Sequence, residues 1–436
     1  MDRRKFVGAI AAAAGGASPA PAAQGGKPVR ETPLVPDYWG PEYYDDQERQ
    51  HLIEVLDTGR PFRWYGRGSQ PPMKVATFEK EFAARMNTKF ALAVTSGTAA
   101  LEAAMAALQI GPGDEVIIPA WTWHSSATSV VRAGGLPVFA EIDESFNIDP
   151  SDIEHRITPK TKAVMAVHLQ GCPADMDAIL PIARKHGIKV LEDCAQSVGG
   201  SYKGKPLGSM GDISIYSHQL NKTITAGEGG SVVTNDPVLF ERASRFHDLG
   251  ALRGLHGGIV GKPSLDVFVG ANYRMSEFTG GVMLAQLRKL DRIVNAVRAN
   301  AKRVYDGIRD LPGIRFRHLP DPAGDLGTAV FLRFDSKDKR VKFQALMKAE
   351  NVPVGPPGGS VVLPVLPYIV NKVTVHPDWP TWTSARGKTI KYGPATCPRT
   401  LDILDRFAGP LLDPKYTQRE TDDIIAAIRK VYRAVS

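Results

Sequence analysis

Cysteine is scarce in this 436-residue chain: Cys172, Cys194 and Cys397 are its three, and their spacing matches no metal-ligand motif. A disulfide-stapled scaffold and a zinc finger or ribbon are thereby excluded. Long apolar runs are missing as well. Nothing beyond the first residues approaches the roughly 20 apolar residues of a membrane-spanning helix, so the folded protein is expected to be soluble, with no membrane partner. Charge of one sign is nowhere concentrated. Lys and Arg number 54 against 46 Asp and Glu, a formal +8, but the two signs are interspersed. A protein that tracks phosphate backbones needs a basic block, so nucleic acid is not an expected partner. What remains, 43% hydrophobic and 23% charged residues, is an ordinary globular composition in a chain long enough for two domains and an ample core.

Glycine and proline are plentiful, at 42 and 33. Small residues and proline crowd the start, MDRRKFVGAIAAAAGGASPAPAAQGG. Arg3 and Arg4 precede Phe6 and a mildly apolar stretch, and the small residues from Ala20 to Ala23 suit a signal peptidase. Residues 1–26 resemble a twin-arginine export signal, which carries folded proteins to the periplasm; read instead as an Ala/Pro tail, they leave the protein cytoplasmic.

Residues 27–72 form a leading segment rich in Pro, Gly, aromatics and Arg, with one helix near Asp45–Leu56. Strand and helix patterns then alternate. KFALAVTS, DEVIIPA, PVFAEI, TKAVMAVHL, IKVLEDC, GDISIYS and GGSVVTN read as strands, with helices such as GTAALEAAMAALQI, SSATSVVRAG and ADMDAILPIARKHG between them. This order implies an α/β fold: a large domain over 27–290 with a mostly parallel sheet flanked by helices. From about Leu290 a long helical stretch, the strands IRFRHL and AVFLRFD, and two more helices imply a smaller C-terminal α/β domain over 291–436. Sites in such sheets form at the carboxyl ends of strands.

The strand ends carry a consistent set of residues. After KFALAV come Thr95, Ser96, Gly97 and Thr98 at a helix start, where backbone N–H groups and hydroxyls suit a phosphate, or where a hydroxyl simply caps the helix. After DEVIIPA comes WTWHSS, whose Trp121 or Trp123 could stack on a planar heterocycle or pack in the core. After IKVLE comes Asp193, with Gln196 three residues on; a carboxylate delivered there by an apolar strand calls for a cation such as a protonated ring nitrogen. After GDISIY come Ser217 and Lys222, the latter followed by Gly227, Gly229 and Gly230. A desolvated lysine is a nucleophile for carbonyl carbon. Each feature alone has an ordinary reading. Together they describe one ligand, pyridoxal 5′-phosphate. The run Gly387, Lys388, Thr389 is not a phosphate loop, because Trp382 stands where the earlier glycine is required.

TSGTAAL, PAWTW, VHLQGCPADMDAI, EDCAQS, SHQLNK, TAGEGGSVVTND and GANYRMSEFTGGVMLAQLRKLD, in this order over roughly residues 74–292, resemble the sugar aminotransferase family named after DegT, DnrJ, EryC1 and StrS. The resemblance implies fold type I, the architecture of aspartate aminotransferase, and a homodimer with shared active sites. It implies that Ser96, Gly97, Thr98 and Ser217 hold the cofactor phosphate, that Trp123 stacks on the ring, and that Asp193 pairs with the ring nitrogen. Gln196 would reach the ring hydroxyl, Lys222 would be the Schiff-base lysine and general base, and Asn272 would reach the phosphate of the neighbouring subunit. Gln170 and Cys172 depart from the Tyr and Gln of many relatives, so substrate contacts are expected to differ. Cys172 and Cys194 are expected to be small buried residues, with a disulfide between them as the alternative.

The implied activity is amino transfer from glutamate or glutamine to a keto sugar, a nucleotide-linked keto sugar or a cyclitol. Elimination on the same residues and an exported, non-catalytic sugar-binding or regulatory protein are the alternatives. Three segments, Pro61–Gly68, His247–Gly270 and Gly355–Trp382, match no pattern; Arg63, Trp64, Arg67 and His247 within them are substrate-contact candidates, with solvated loop positions as the simpler expectation.

Overall fold

A computed structural model describes residues 26–35, 43–64 and 72–435; the twin arginines and Arg67 lie outside these. Its centre is a seven-stranded sheet of β1 (Phe90–Val94), β2 (Glu115–Pro119), β3 (Leu136–Ala140), β4 (Thr161–Val167), β5 (Lys189–Asp193), β6 (Ile213–Ser217) and β7 (Gly230–Thr234), in the order β1-β7-β6-β5-β4-β2-β3. Only β7 runs against its neighbours, pairing antiparallel with β1 and β6, while the other four contacts are parallel. The seven strands expected from the sequence are all present.

The strands form because they are apolar on both faces, as in a parallel sheet covered above and below. In β1, Leu92 and Val94 join one core, whereas Ala91 and Ala93 join the other. Helix α1 (Asp46–Thr58) begins with an Asp45–Glu48 capping box and packs on the helix Glu277–Arg288, while α2 (Lys74–Arg85) sends Phe78 and Phe82 into the second core. Helices α3 (Gly97–Ala107) and α4 (His124–Arg132) lie on the first core. They are followed by α5 (Pro150–Arg156), α6 (Met176–His186), α7 (Pro237–His247), α8 (Gly254–Val260) and α9 (Glu277–Arg288).

Helix α10 (Leu290–Ile308) bridges two cores: Leu290, Ile293 and Val294 lie under the sheet, and Val297, Ala301 and Val304 pack with Phe343, Ile424 and Ile428 of the C-terminal helices. The last helix, Gln418–Tyr432, starts at the capping box of Thr417 and Glu420. The strands expected in IRFRHL and AVFLRFD shrink to a Phe316–Leu332 bridge and a two-residue pairing of Leu332–Arg333 with Phe407–Ala408. Further backbone bonds, Val330 N–H to the Pro410 carbonyl at 3.1 Å and Phe334 N–H to the Arg406 carbonyl at 2.8 Å, continue this contact outside regular ladders. Among the described residues, no helix is long and apolar enough to cross a membrane.

Candidate active site

Lys222 lies on the connection between β6 and β7. His218 N–H donates to the Gly229 carbonyl at 2.8 Å and Leu220 N–H to the Gly227 carbonyl at 3.0 Å. Thr225 Oγ1 closes the base of this loop on the His218 carbonyl at 2.9 Å. The glycine at 230 is demanded by a close approach: a Cβ there would stand 2.3 Å from the Ser96 carbonyl oxygen. The glycine-rich stretch thus lets the lysine loop and the start of α3 lie against each other.

The register of the sheet sets the remaining groups in a row. Val94 opposes Gly230, and Gly230 opposes Ser217; Asp193 pairs in register with Ile215 on one side and Val167 on the other. Ser96 caps α3, its Oγ accepting the Ala99 N–H at 3.0 Å. Gly97 is packed so closely on the end of β6 that a Cβ would meet Ser217 Cβ at 2.7 Å. Thr98 Oγ1 and Ser125 Oγ are 2.7 Å apart, which ties α3 to the first turn of α4.

Asp193 is buried. Its carboxylate accepts the Ala195 N–H at 3.0 Å and the Ser126 hydroxyl at 3.3 Å. Burial pushes its pKa up, opposed by the Ala195 N–H and by the charge of Lys222. Lys222 is only partly exposed, and loss of water lowers its pKa, opposed by Asp193. Among the described residues neither group has an ion-pair partner within bonding distance. Each charge is felt by the other without a bonded contact, and desolvation drives each toward its neutral form.

Trp121 and Trp123 separate cleanly. Trp121 is buried against Phe146, while Trp123, at the N-cap of α4, is 51% exposed and free to cover a ligand. Gln196 is engaged: its Oε1 accepts the Gln170 N–H at 3.0 Å and its Nε2 reaches Ser360 Oγ at 3.2 Å. Asn272 is exposed, bridged through its backbone to Asp248, and the structure does not bring its side chain onto the other site residues. Cys172, Cys194 and Cys397 are all buried and free, so the disulfide alternative does not hold.

Sequence reasoning missed five residues of the candidate site. Ser125 and Ser126, just after Trp123 and His124, were legible only as part of a helix. His124 Nδ1 and Tyr368 Oη, 2.7 Å apart, join α4 to a segment of no readable pattern. Ser360 comes from the same segment. His247 and Arg63 are buried, against the solvated-loop expectation. Arg63 donates to Glu79 at 2.7 Å, and His256 stands 3.2 Å from the same carboxylate oxygen, with its ring edge against Trp64. A buried guanidinium persists because this carboxylate meets it.

Residues 43–356 match the DegT/DnrJ/EryC1/StrS aminotransferase family. The chain belongs to it. This family member is 38% identical to GDP-perosamine synthase of Vibrio cholerae over 269 residues, 62% of this chain and 70% of that one. It is 33% identical to the spore coat polysaccharide biosynthesis protein SpsC of Bacillus subtilis over 396 residues, 89% and 95% of the two chains. Its fold superposes on the crystal structure of 3-amino-5-hydroxybenzoic acid synthase with a TM-score of 0.74 at 27% identity, covering 92% of this chain and 100% of that one. The family member is an aminotransferase, built on the fold type I architecture of the pyridoxal-phosphate-dependent transferases.

Proposed function

We propose that this aminotransferase uses pyridoxal 5′-phosphate to move an amino group from glutamate or glutamine to a keto group on a sugar, a nucleotide-linked sugar or a cyclitol. The observation that carries the reading is the pair Asp193 and Lys222, a carboxylate and an amine at adjacent strand ends, each desolvated and without a bonded counter-ion. A protonated heterocycle bearing an aldehyde answers both. The fit extends along the row: the opening N–H groups of α3 and the Ser217 hydroxyl offer a phosphate seat, and the exposed face of Trp123 offers a stacking surface.

When bound, the cofactor supplies an electron sink that stabilises charge at the substrate Cα. The chain's own residues do the rest. Lys222 Nζ, kept toward its neutral form by desolvation, would hold the cofactor through its carbonyl carbon and would move the proton at the substrate Cα. Asp193 holds the ring nitrogen protonated, with Ser126 and the Ala195 N–H fixing its carboxylate. Ser96, Gly97, Thr98 and Ser217 seat the phosphate, and Gln196 borders the ring hydroxyl. Asn272 reaches the site of the second subunit in a homodimer, which its exposure permits. Residues 1–26 would direct the folded, loaded enzyme to the periplasm.

One lysine and one site serve both substrates, so donor and acceptor act in turn. Initial rates with both varied are expected to give parallel reciprocal plots; intersecting plots contradict the reading.

A further inference from the structure

We propose that Gln170 is a specificity-determining residue, its amide oxygen accepting a hydrogen bond from a hydroxyl of the acceptor ring in a subsite closed by residues 358–368. This rests on the aminotransferase reading above. Gln170 follows β4 at the carboxyl edge of the sheet and adopts the left-handed conformation, φ 52° and ψ 44°, without being glycine. Such a backbone persists only where its surroundings fix it. Here the Gln170 N–H donates to Gln196 Oε1 at 3.0 Å, and the Gln170 carbonyl accepts from Thr328 Oγ1 at 2.8 Å. The side-chain Nε2 donates to the Gly358 carbonyl at 2.6 Å. A carbonyl only accepts, so nitrogen must face Gly358 and the amide has one orientation. That leaves Oε1 as a buried acceptor with no partner among the described residues. An oriented, unsatisfied acceptor at a strand end of this kind of sheet is made for a donor that arrives with the substrate.

The rest of the wall supports this. Residues 358–360 are held over the strand ends by Gln170 and by Gln196, whose Nε2 donates to Ser360 Oγ at 3.2 Å. Val361–Val362 then pair with Trp121–Thr122, and the chain continues to Tyr368, which grips His124 at 2.7 Å. The match to the family ends at residue 356, so this closing segment lies beyond it. Burial keeps His124 below and Tyr368 above their usual pKa values, and Gln170, Gln196 and Ser360 carry no charge. A neutral wall with an open acceptor suits a hydroxyl of an uncharged ring, and its residues named here supply no cation for the carboxylates of an amino-acid donor.

The test uses the loaded full chain. Glutamate first converts it to the amine-bearing form, and its return is then followed with 2-oxoglutarate and with a panel of GDP-, UDP- and dTDP-linked keto sugars. In Gln170→Met, kcat/KM for the best keto sugar is expected to fall about tenfold to a hundredfold, while return by 2-oxoglutarate changes less than about twofold. Independently of any variant, that sugar is expected to slow hydrogen exchange in residues 355–362 of the wild-type protein. Equal losses for both substrates, no loss for the sugar, unchanged exchange, or a panel that never returns the enzyme while 2-oxoglutarate does, each overturns the proposal. Failure of both glutamate and glutamine to convert the loaded enzyme would overturn the underlying reading instead.

Discussion

Gly97 offers the sharpest perturbation of the site. An alanine Cβ there would stand 2.7 Å from Ser217 Cβ, 3.0 Å from its Oγ and 3.3 Å from its Cα. Carbon atoms in contact prefer about 3.5–4.0 Å, so α3 and the end of β6 would have to part by roughly 1 Å. Neither yields easily: Ser217 is buried and paired to β7, and α3 is buried along most of its length. Overpacking of this kind costs about 1–3 kcal/mol. The better helix propensity of alanine returns at most about 1 kcal/mol. A net loss of about 1–2 kcal/mol at the proposed phosphate seat corresponds to cofactor affinity weakened roughly 5- to 30-fold. Fluorescence titration of the cofactor-free Gly97→Ala protein with pyridoxal phosphate, with circular dichroism as the check on folding, measures it. A folded variant that binds within twofold of the wild type refutes the reasoning that Gly97 and Ser217 seat the phosphate side by side.

Burial alone would raise the pKa of Glu79, but Arg63 and His256 bring it down to about 2. A lowered carboxyl pKa stabilises the fold above the usual value of 4.5 and is lost as pH falls toward 2. Glu79→Gln is therefore expected to cost about 3–5 kcal/mol near pH 7 by stranding Arg63, and to flatten the acid limb of stability in urea titrations at several pH values. Lys222 has a lowered pKa, so the rate of the donor half reaction should decline as pH falls through a midpoint below the 10.5 usual for lysine; stopped-flow absorbance reads it, and a midpoint at or above 10.5 contradicts the assignment. Burial raises Cys172 and Cys397 to about 12 and also holds Cys194 well above the usual thiol value. A thiol reagent should find almost no reactive cysteine in the native protein and three after unfolding without reductant.

The sheet was legible because its strands are buried on both faces and so read as short apolar runs between turn residues. The grouping of the candidate site was legible for the same reason, since strands that end in Asp193 and Ser217 deliver polar groups to one edge of the sheet, where parallel sheets commonly place ligands. What could not be read depends on partners distant in sequence. Arg63 looked like a loop arginine, but the carboxylate and histidine that bury it come from α2 and from His256, the latter 193 positions away. Gln170 gave no sign of its left-handed backbone, because the groups that fix it, Gln196, Thr328 and Gly358, lie in three separate segments. Residues 355–382 have neither helical nor strand periodicity; they are ordered by contacts such as Trp379 Nε1 donating to the Val131 carbonyl at 2.6 Å.

The central claim is that Lys222 carries the cofactor and the amine passes through it. The most direct test is the visible absorption spectrum of the protein loaded with pyridoxal phosphate, recorded before and after glutamate or glutamine, with Lys222→Ala alongside. The account predicts a visible band that shifts on adding the donor amino acid, and that is absent or altered in the variant from the start. A protein that gains no band when loaded, or a Lys222→Ala variant that responds to the donor as the wild type does, would contradict it.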